Sequence, residues 1–132
     1  MKADLHTHSS FSDGALSPAE LLREAERAGV TLLSLTDHDS FEGSDRLAGQ
    51  PTSIALIPGV ELSLRDMDSL HLLAYGFSEG KRLRAVVADL SMKRKDRALR
   101  IMEKLRDLGL PLDPALCPMD GSVGRPHIAQ MM

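Results

Sequence analysis

The sequence is poor in the residues that build aromatic cores and disulfide frameworks. It has no tryptophan, one tyrosine and three phenylalanines among 132 residues, so its core must consist mainly of aliphatic side chains and methionine. The single cysteine, Cys117, excludes an internal disulfide and indicates a reducing compartment. No apolar run reaches the length of a membrane-spanning helix, and no secretory signal peptide is recognisable. We therefore expect a cytoplasmic protein that is not bound to a membrane.

The chain also lacks an excess of positive charge. Sixteen basic and nineteen acidic residues give a net charge of −3, which argues against stable binding to duplex DNA or to an anionic membrane. A basic run at residues 93–100 is the exception, and it is either a solvated helix face or an electrostatic guide for an anionic nucleotide. The length and the hydrophobic content of 42% indicate one globular domain.

The apolar pattern predicts strands that alternate with helices, which is typical of an α/β protein with parallel strands. The apolar segments of strand length lie at residues 2–7, 30–40, 53–63 (interrupted by a Pro-Gly pair) and 70–77. The predicted helices lie at residues 18–28, 44–48 and 81–108, with a further helix starting near Pro126. The first of them begins with Ser17, Pro18 and Glu20, which form a capping box with proline at the first helical position.

Potential metal ligands follow the predicted strands. His6 and His8 are two residues apart, so an extended strand points both imidazoles to one face. His38, Glu61 and His71 lie in or just after the next strands, and the carboxyl ends of parallel strands are where sites are built. Imidazole and carboxylate ligands suit zinc, manganese or iron, and the absence of thiolate ligands argues against a structural zinc site.

When each of these residues is considered alone, a structural role explains some of them as well as metal binding does. Asp13 precedes Gly14, as a turn residue often does, and the aspartates of "TDHD" around His38 are suited to cap the following helix. A histidine pair on one strand is also common by chance. The metal hypothesis depends on all of these residues falling at strand ends in one short chain.

The segments "DLHTHSSFSDG", "LSLTDHDS", "IPGVELS", "HLLAYGF" and "GRPHIA", in this order, resemble the polymerase-and-histidinol-phosphatase (PHP) family. They are most similar to its stand-alone phosphoesterases, which include nucleoside 3′,5′-bisphosphate phosphatases and 5′-3′ exoribonucleases. The resemblance implies the N-terminal part of a distorted seven-stranded β/α barrel, with about four of the seven strands present. It further implies one incomplete domain over residues 1–132, with a ligand-bearing core at 1–78 and a substrate-covering helical insertion at 79–132.

The resemblance also assigns the ligands of two or three divalent ions, with manganese expected ahead of zinc or iron. His6 and His8 would bind the first ion, Glu61 would bridge the first and second, and His71 would bind the second. Asp13 and His38 would bind a third ion. Through these ions Glu61, Asp13 and His38 are the expected catalytic residues, and a hydroxide shared between the ions would attack phosphorus.

The "GRPHIA" segment supplies the expected substrate contacts. Arg125 and His127 would bind the substrate phosphate, because a guanidinium group and a helix start both favour anions. The alternative is a solvated helix N-terminus without a ligand.

The resemblance predicts a metal-dependent phosphoesterase that hydrolyses a phosphate ester of a nucleotide or short oligonucleotide. Histidinol-phosphate hydrolysis, polymerase-associated proofreading and metal or phosphate binding without turnover are the alternatives. The last follows because the family pattern continues with a Leu-Ala-His-Pro segment and an Asp-x-His segment, neither of which occurs in this sequence. With barrel strands missing, we expect self-association or a rearranged fold to cover the open face.

Overall fold

The computed structural model describes residues 1–64, 70–77, 80–117 and 121–132. Within these ranges the strands are β1 (Ala3–Thr7), β2 (Leu32–Leu35), β3 (Ala55–Leu56), β4 (Gly59–Ser63) and β5 (His71–Tyr75). The α-helices are α1 (Pro18–Arg27), α2 (Glu42–Leu47), α3 (Lys81–Asp107) and α4 (Arg125–Met131), with a 3₁₀ turn at Pro114–Leu116. The predicted α/β fold is confirmed. The expected boundary between residues 78 and 79 lies outside the described residues.

The strands form two small sheets. β1, β2 and β3 pair in parallel, in that order, and β4 pairs with β5 in antiparallel register. A parallel bridge between His38 and Glu61 joins the sheets, with the Asp39 N–H donating to the Glu61 carbonyl at 2.9 Å. The segment that follows β2 therefore runs alongside β4, which brings the ends of β1 and β2 next to β4.

The third predicted strand is two strands in the structure. Pro58 has no N–H to donate, and the chain leaves the first sheet here and enters the second. Gly59 lies so close to β2 that an added Cβ would sit 2.1 Å from the Ser34 hydroxyl oxygen. The Pro-Gly pair thus marks a change of sheet rather than an irregularity in one strand, and the described part of the chain holds five strands.

The helices begin and end close to the predicted positions. The capping box of α1 is confirmed, with the Glu20 N–H donating to Ser17 Oγ at 3.3 Å and the Ser17 N–H donating to the Glu20 carboxylate at 2.9 Å. The second helix starts two residues earlier and ends one residue earlier than the predicted range of 44–48. α2 begins at Glu42, whose N–H donates to Ser40 Oγ, and it ends at Leu47 because the next residue leaves helical geometry.

Three apolar clusters hold these elements together. The first lies between α1 and the parallel sheet around Leu22 and Leu33, and the second lies between β4 and α3 around Val60 and Val87. The third packs α3 against α4. In the described ranges, no helix combines the length and apolarity that crossing a membrane requires.

Candidate metal centre

The carboxylate of Glu61 lies among four histidines. Glu61 is on β4 and 5% exposed. Its Oε2 lies 3.1 Å from His6 Nε2, 3.1 Å from His8 Nε2 and 3.5 Å from His38 Nδ1. Its Oε1 lies 2.8 Å from His71 Nδ1. Residues from both sheets and from the segment after β2 thus converge on one carboxylate.

Asp13 extends this cluster on one side. Its carboxylate oxygens lie 3.3 Å from His8 Nδ1 and 3.5 Å from His38 Nε2. The donor atoms form three overlapping groups, each with its atoms within 4.8 Å of one another. The groups are His6, His8 and Glu61; His8, Asp13 and His38; and His38, Glu61 and His71. The structure therefore brings together all six residues predicted as ligands.

The environment of the cluster favours the ligand forms of its side chains. Burial lowers the pKa of the His8 imidazole, although the neighbouring Asp13 acts in the opposite direction. Burial alone would raise the pKa of Glu61, but its hydrogen bonds with His6 and His71 and its electrostatic interaction with the other neighbouring imidazoles outweigh burial, so the pKa is lowered. The hydrogen bond with His38 holds the pKa of Asp13 well below its ordinary value. Neutral imidazole next to ionised carboxylate is what a divalent ion needs.

The donor set fits a divalent cation. Nδ1 of His38 is buried, and no hydrogen bond to it is found within the described ranges. Its nearest carboxylate oxygen, Glu61 Oε2 at 3.5 Å, does not form a hydrogen bond with it, and a metal ion is one group that can use the lone pair of such a buried nitrogen. The remaining ligands offer the imidazole and carboxylate donors that suit zinc, manganese or iron.

Asp37 has a role that the sequence did not reveal. It does not cap α2, whose first residues receive no side-chain cap from it. Its buried carboxylate instead accepts the Ser9 N–H at 2.7 Å, the Ser9 hydroxyl at 2.7 Å and the Ser12 hydroxyl at 2.6 Å. These bonds tie the residue before His38 to the loop after β1. The serines of "HSSFSDG" were the available signal, because a buried carboxylate needs several donors.

A cavity of about 260 Å³ opens beside the cluster. Its polar walls are Asp13, His38, His71, Arg94, Arg97, Ser122 and Arg125. Arg125 therefore lines the same cavity as three of the six predicted ligands. His127 does not line this cavity, and its Nδ1 accepts the Gly124 N–H at 2.9 Å at the start of α4. The imidazole of His127 thus fixes the N-terminus of α4, and its contact with a substrate phosphate stays a prediction.

The pattern of the PHP domain matches residues 4–106. The chain is 37% identical over 137 aligned positions to a 5′-3′ exoribonuclease of Haemophilus influenzae, with 99% of this chain and 50% of that protein aligned. It is 34% identical to a 3′,5′-nucleoside bisphosphate phosphatase of Chromobacterium violaceum, over 85% of this chain and 38% of that protein. The chain thus spans about half the length, or less, of these curated relatives.

Solved structures agree with these matches. A candidate metal-dependent phosphoesterase from Bifidobacterium adolescentis superposes with a TM-score of 0.85 at 26% identity, over 99% of this chain and 49% of that one. An amidohydrolase from Chromobacterium violaceum, solved with bound sulfate and no metal, gives 0.84 at 28% identity, again over 99% and 49%. The two sheets and four helices are therefore arranged as in part of these larger proteins.

Proposed function

Because this chain belongs to the PHP domain family, we propose that it carries the metal-binding part of a phosphoesterase that hydrolyses a phosphate ester of a nucleotide or short oligonucleotide. The observation that carries the proposal is the Glu61 carboxylate, which lies within 3.5 Å of four imidazole nitrogens from three separate parts of the chain. Without a cation, the buried Glu61 and His38 and the half-buried His8 would be an expensive arrangement of polar groups.

We assign the six clustered side chains to two or three divalent ions, with manganese ahead of zinc or iron. Ions held there would supply Lewis-acid polarisation of a phosphoryl oxygen and an acidified water. In this proposal Glu61 would bridge two ions, which is supported by the contacts of its two carboxylate oxygens with different histidines. His6 and His8 contact one of these oxygens and His71 contacts the other, which divides the ligands as the proposal requires.

Arg125 orients the substrate phosphate in this proposal. This role is supported by its position in the wall of the cavity that Asp13 and His71 also line, because a guanidinium group there can pair with phosphoryl oxygens. His127 contributes by holding the start of α4, from which Arg125 projects.

We also propose that the chain forms the N-terminal part of a distorted seven-stranded β/α barrel. TM-scores of 0.84 and 0.85 to proteins about twice as long support this proposal. The division into a core at 1–78 and a substrate-covering insertion at 79–132 is supported by the arginines of α3 that line the cavity. We also propose self-association over the open face, and a cytoplasmic location, which the buried free thiol of Cys117 supports.

A second candidate function is metal and phosphate binding without turnover. It requires only the six clustered side chains and the arginines that line the cavity beside them.

The test is to load the chain with Mn²⁺, Zn²⁺ or Fe²⁺, measure bound metal, and assay phosphate release from three substrates. These are a nucleoside 3′,5′-bisphosphate, a 5′-phosphorylated trinucleotide and histidinol phosphate. Release from either nucleotide substrate, lost on chelation, is the expected result. Bound metal without release supports the second function, a clear preference for histidinol phosphate overturns the substrate class, and the absence of bound metal overturns both functions.

A further inference from the structure

We propose that Arg94, near the middle of α3, is a positioning residue that fixes His38 in the metal centre by holding Asp39. This inference rests on the proposed metal function of the cluster. Arg94 and Asp39 are 55 residues apart in sequence, and both are buried, with Arg94 9% exposed and Asp39 fully enclosed.

Arg94, Asp39 and Ser63 form a closed hydrogen-bonded ring. Arg94 Nε donates to Asp39 Oδ2 at 2.5 Å, and Arg94 Nη2 donates to Ser63 Oγ at 2.7 Å. The Ser63 hydroxyl donates in turn to Asp39 Oδ2 at 2.6 Å, while the Ser63 N–H donates to Asp39 Oδ1 at 2.8 Å. Both oxygens of the buried carboxylate are therefore satisfied, and the ring links α3 to the end of β4.

The hydrogen bonds among Arg94, Asp39 and Ser63 affect the position of His38 through the backbone. Asp39 has a φ of 47°, a left-handed conformation that is uncommon for a residue with a side chain. Its N–H donates to the Glu61 carbonyl at 2.9 Å, so the peptide that leaves His38 is fixed against the strand that carries Glu61. If the Arg94–Asp39 ion pair is removed, the left-handed backbone conformation of Asp39 loses an interaction that offsets its conformational strain.

The polar contacts of the His38 ring are long: Nδ1 lies 3.5 Å from Glu61 Oε2 without forming a hydrogen bond, and Nε2 lies 3.5 Å from Asp13 Oδ2. Contacts of this length hold the rotation of the imidazole only loosely, so the backbone on either side of His38 has to fix its position. The preceding residue, Asp37, is held by the serines of the loop after β1. His38 is therefore held from both sides by buried carboxylates, and α3 supplies the anchor on the second side.

The ion pair is better explained by positioning than by stability. A buried pair repays its desolvation poorly, and apolar residues of similar size are often as stabilising. Arg94 also lines the cavity, and a Cβ added to Gly124 would lie 3.6 Å from its Nη1, so the same guanidinium reaches the loop before α4. The Arg94 side chain thus contacts Asp39, next to a candidate metal ligand, and reaches the loop that precedes Arg125.

The test compares Arg94→Met, Arg94→Lys and Asp39→Asn in the full chain, with Arg106→Met as control. Arg106 lies on the same helix but is exposed and pairs only with the adjacent Asp107 among the described residues. Mn²⁺ affinity is measured by calorimetry, the site is reported by the absorption spectrum of bound Co²⁺, and folding is followed by circular dichroism and urea unfolding.

We expect Arg94→Met and Asp39→Asn to weaken Mn²⁺ binding about 10- to 100-fold and to alter the Co²⁺ spectrum, as loss of a supporting residue around a metal does. Arg94→Lys should recover part of the affinity, because an ammonium group can pair with Asp39 but cannot also reach Ser63. If Arg94→Met does not fold, Arg94→Lys and Ser63→Ala, which each keep the ion pair, should still show a smaller loss than that of Asp39→Asn.

Wild-type affinity and an unchanged Co²⁺ spectrum in folded Arg94→Met would overturn the positioning role. An equal loss in Arg106→Met would overturn it as well. If the wild-type chain binds neither ion, the proposed metal function fails instead, so the two failures are distinguishable.

Discussion

Glu61→Gln is the most direct perturbation of the metal centre. The substitution keeps the size of the side chain and one oxygen, but it removes the negative charge that four imidazole nitrogens approach at 2.8–3.5 Å. Two unit charges 4 Å apart at an effective dielectric constant of 20 interact by about 4 kcal/mol. Since about 1.4 kcal/mol corresponds to a tenfold change in affinity, about 4 kcal/mol corresponds to about 1,000-fold, and we expect Mn²⁺ binding to weaken by about this factor or more because the ion carries two charges.

The metal-free protein should respond much less. Glutamine can still accept or donate a hydrogen bond to His6 or His71, so the free energy of unfolding should change by about 1 kcal/mol or less. Calorimetry with Mn²⁺ and urea unfolding in the presence of a chelator measure the two quantities. The control is Glu103→Gln, which removes the same charge from an exposed position on α3. An affinity within threefold of wild type in Glu61→Gln would refute the central role of this carboxylate.

Three further predictions follow from the same geometry. Gly43→Ala should destabilise the protein by about 2 kcal/mol in urea unfolding, because its Cβ would lie 2.1 Å from the buried Asp37 carboxylate; helix propensity alone predicts the opposite sign, so a stabilised variant would contradict the packing. The metal-free chain should lose stability as pH falls from about 6.5, because burial lowers the pKa of His8 and the unfolded chain then binds more protons; a flat urea midpoint between pH 7 and 5.5 would count against this. Arg125→Met should weaken binding of inorganic phosphate about tenfold in calorimetry. A larger loss of phosphate affinity in His127→Ala would contradict the assignment of the phosphate contact to Arg125, which lines the cavity.

The strands, the long helix and the ligand set were predictable because each has a local signature. Apolar runs of strand length, the Ser17 cap and the His-x-His pair depend only on neighbouring residues. The carboxyl-end rule for parallel strands predicted the convergence correctly for His6, but His71 arrives by another route, since it is the first residue of β5 and pairs opposite Ser63 on antiparallel β4. Although β4 and β5 are antiparallel to each other, the bridge at His38 still brings β4 to that edge.

The supporting residues were not predictable in the same way. The sequence suggested helix caps for Asp37 and Asp39, because aspartate before a helix usually has that role. Their true partners are far away in sequence: Ser9 and Ser12 for one, Ser63 and Arg94 for the other. Arg94 was one basic residue of a charged run, and only the packing of α3 against β4 selects it from its neighbours. Long-range hydrogen bonds leave no local pattern.

The bridge between His38 and Glu61 has a consequence for folding as well as for chemistry. The two sheets meet at residues that are themselves candidate ligands, so an ion bound there would cross-link the two sheets. At a free ion concentration 100 times the dissociation constant, the bound ion would add about 2.7 kcal/mol to the stability of the folded chain. Resistance to heat or proteolysis would then rise and fall with the supply of metal in the surroundings, with no change in the polypeptide.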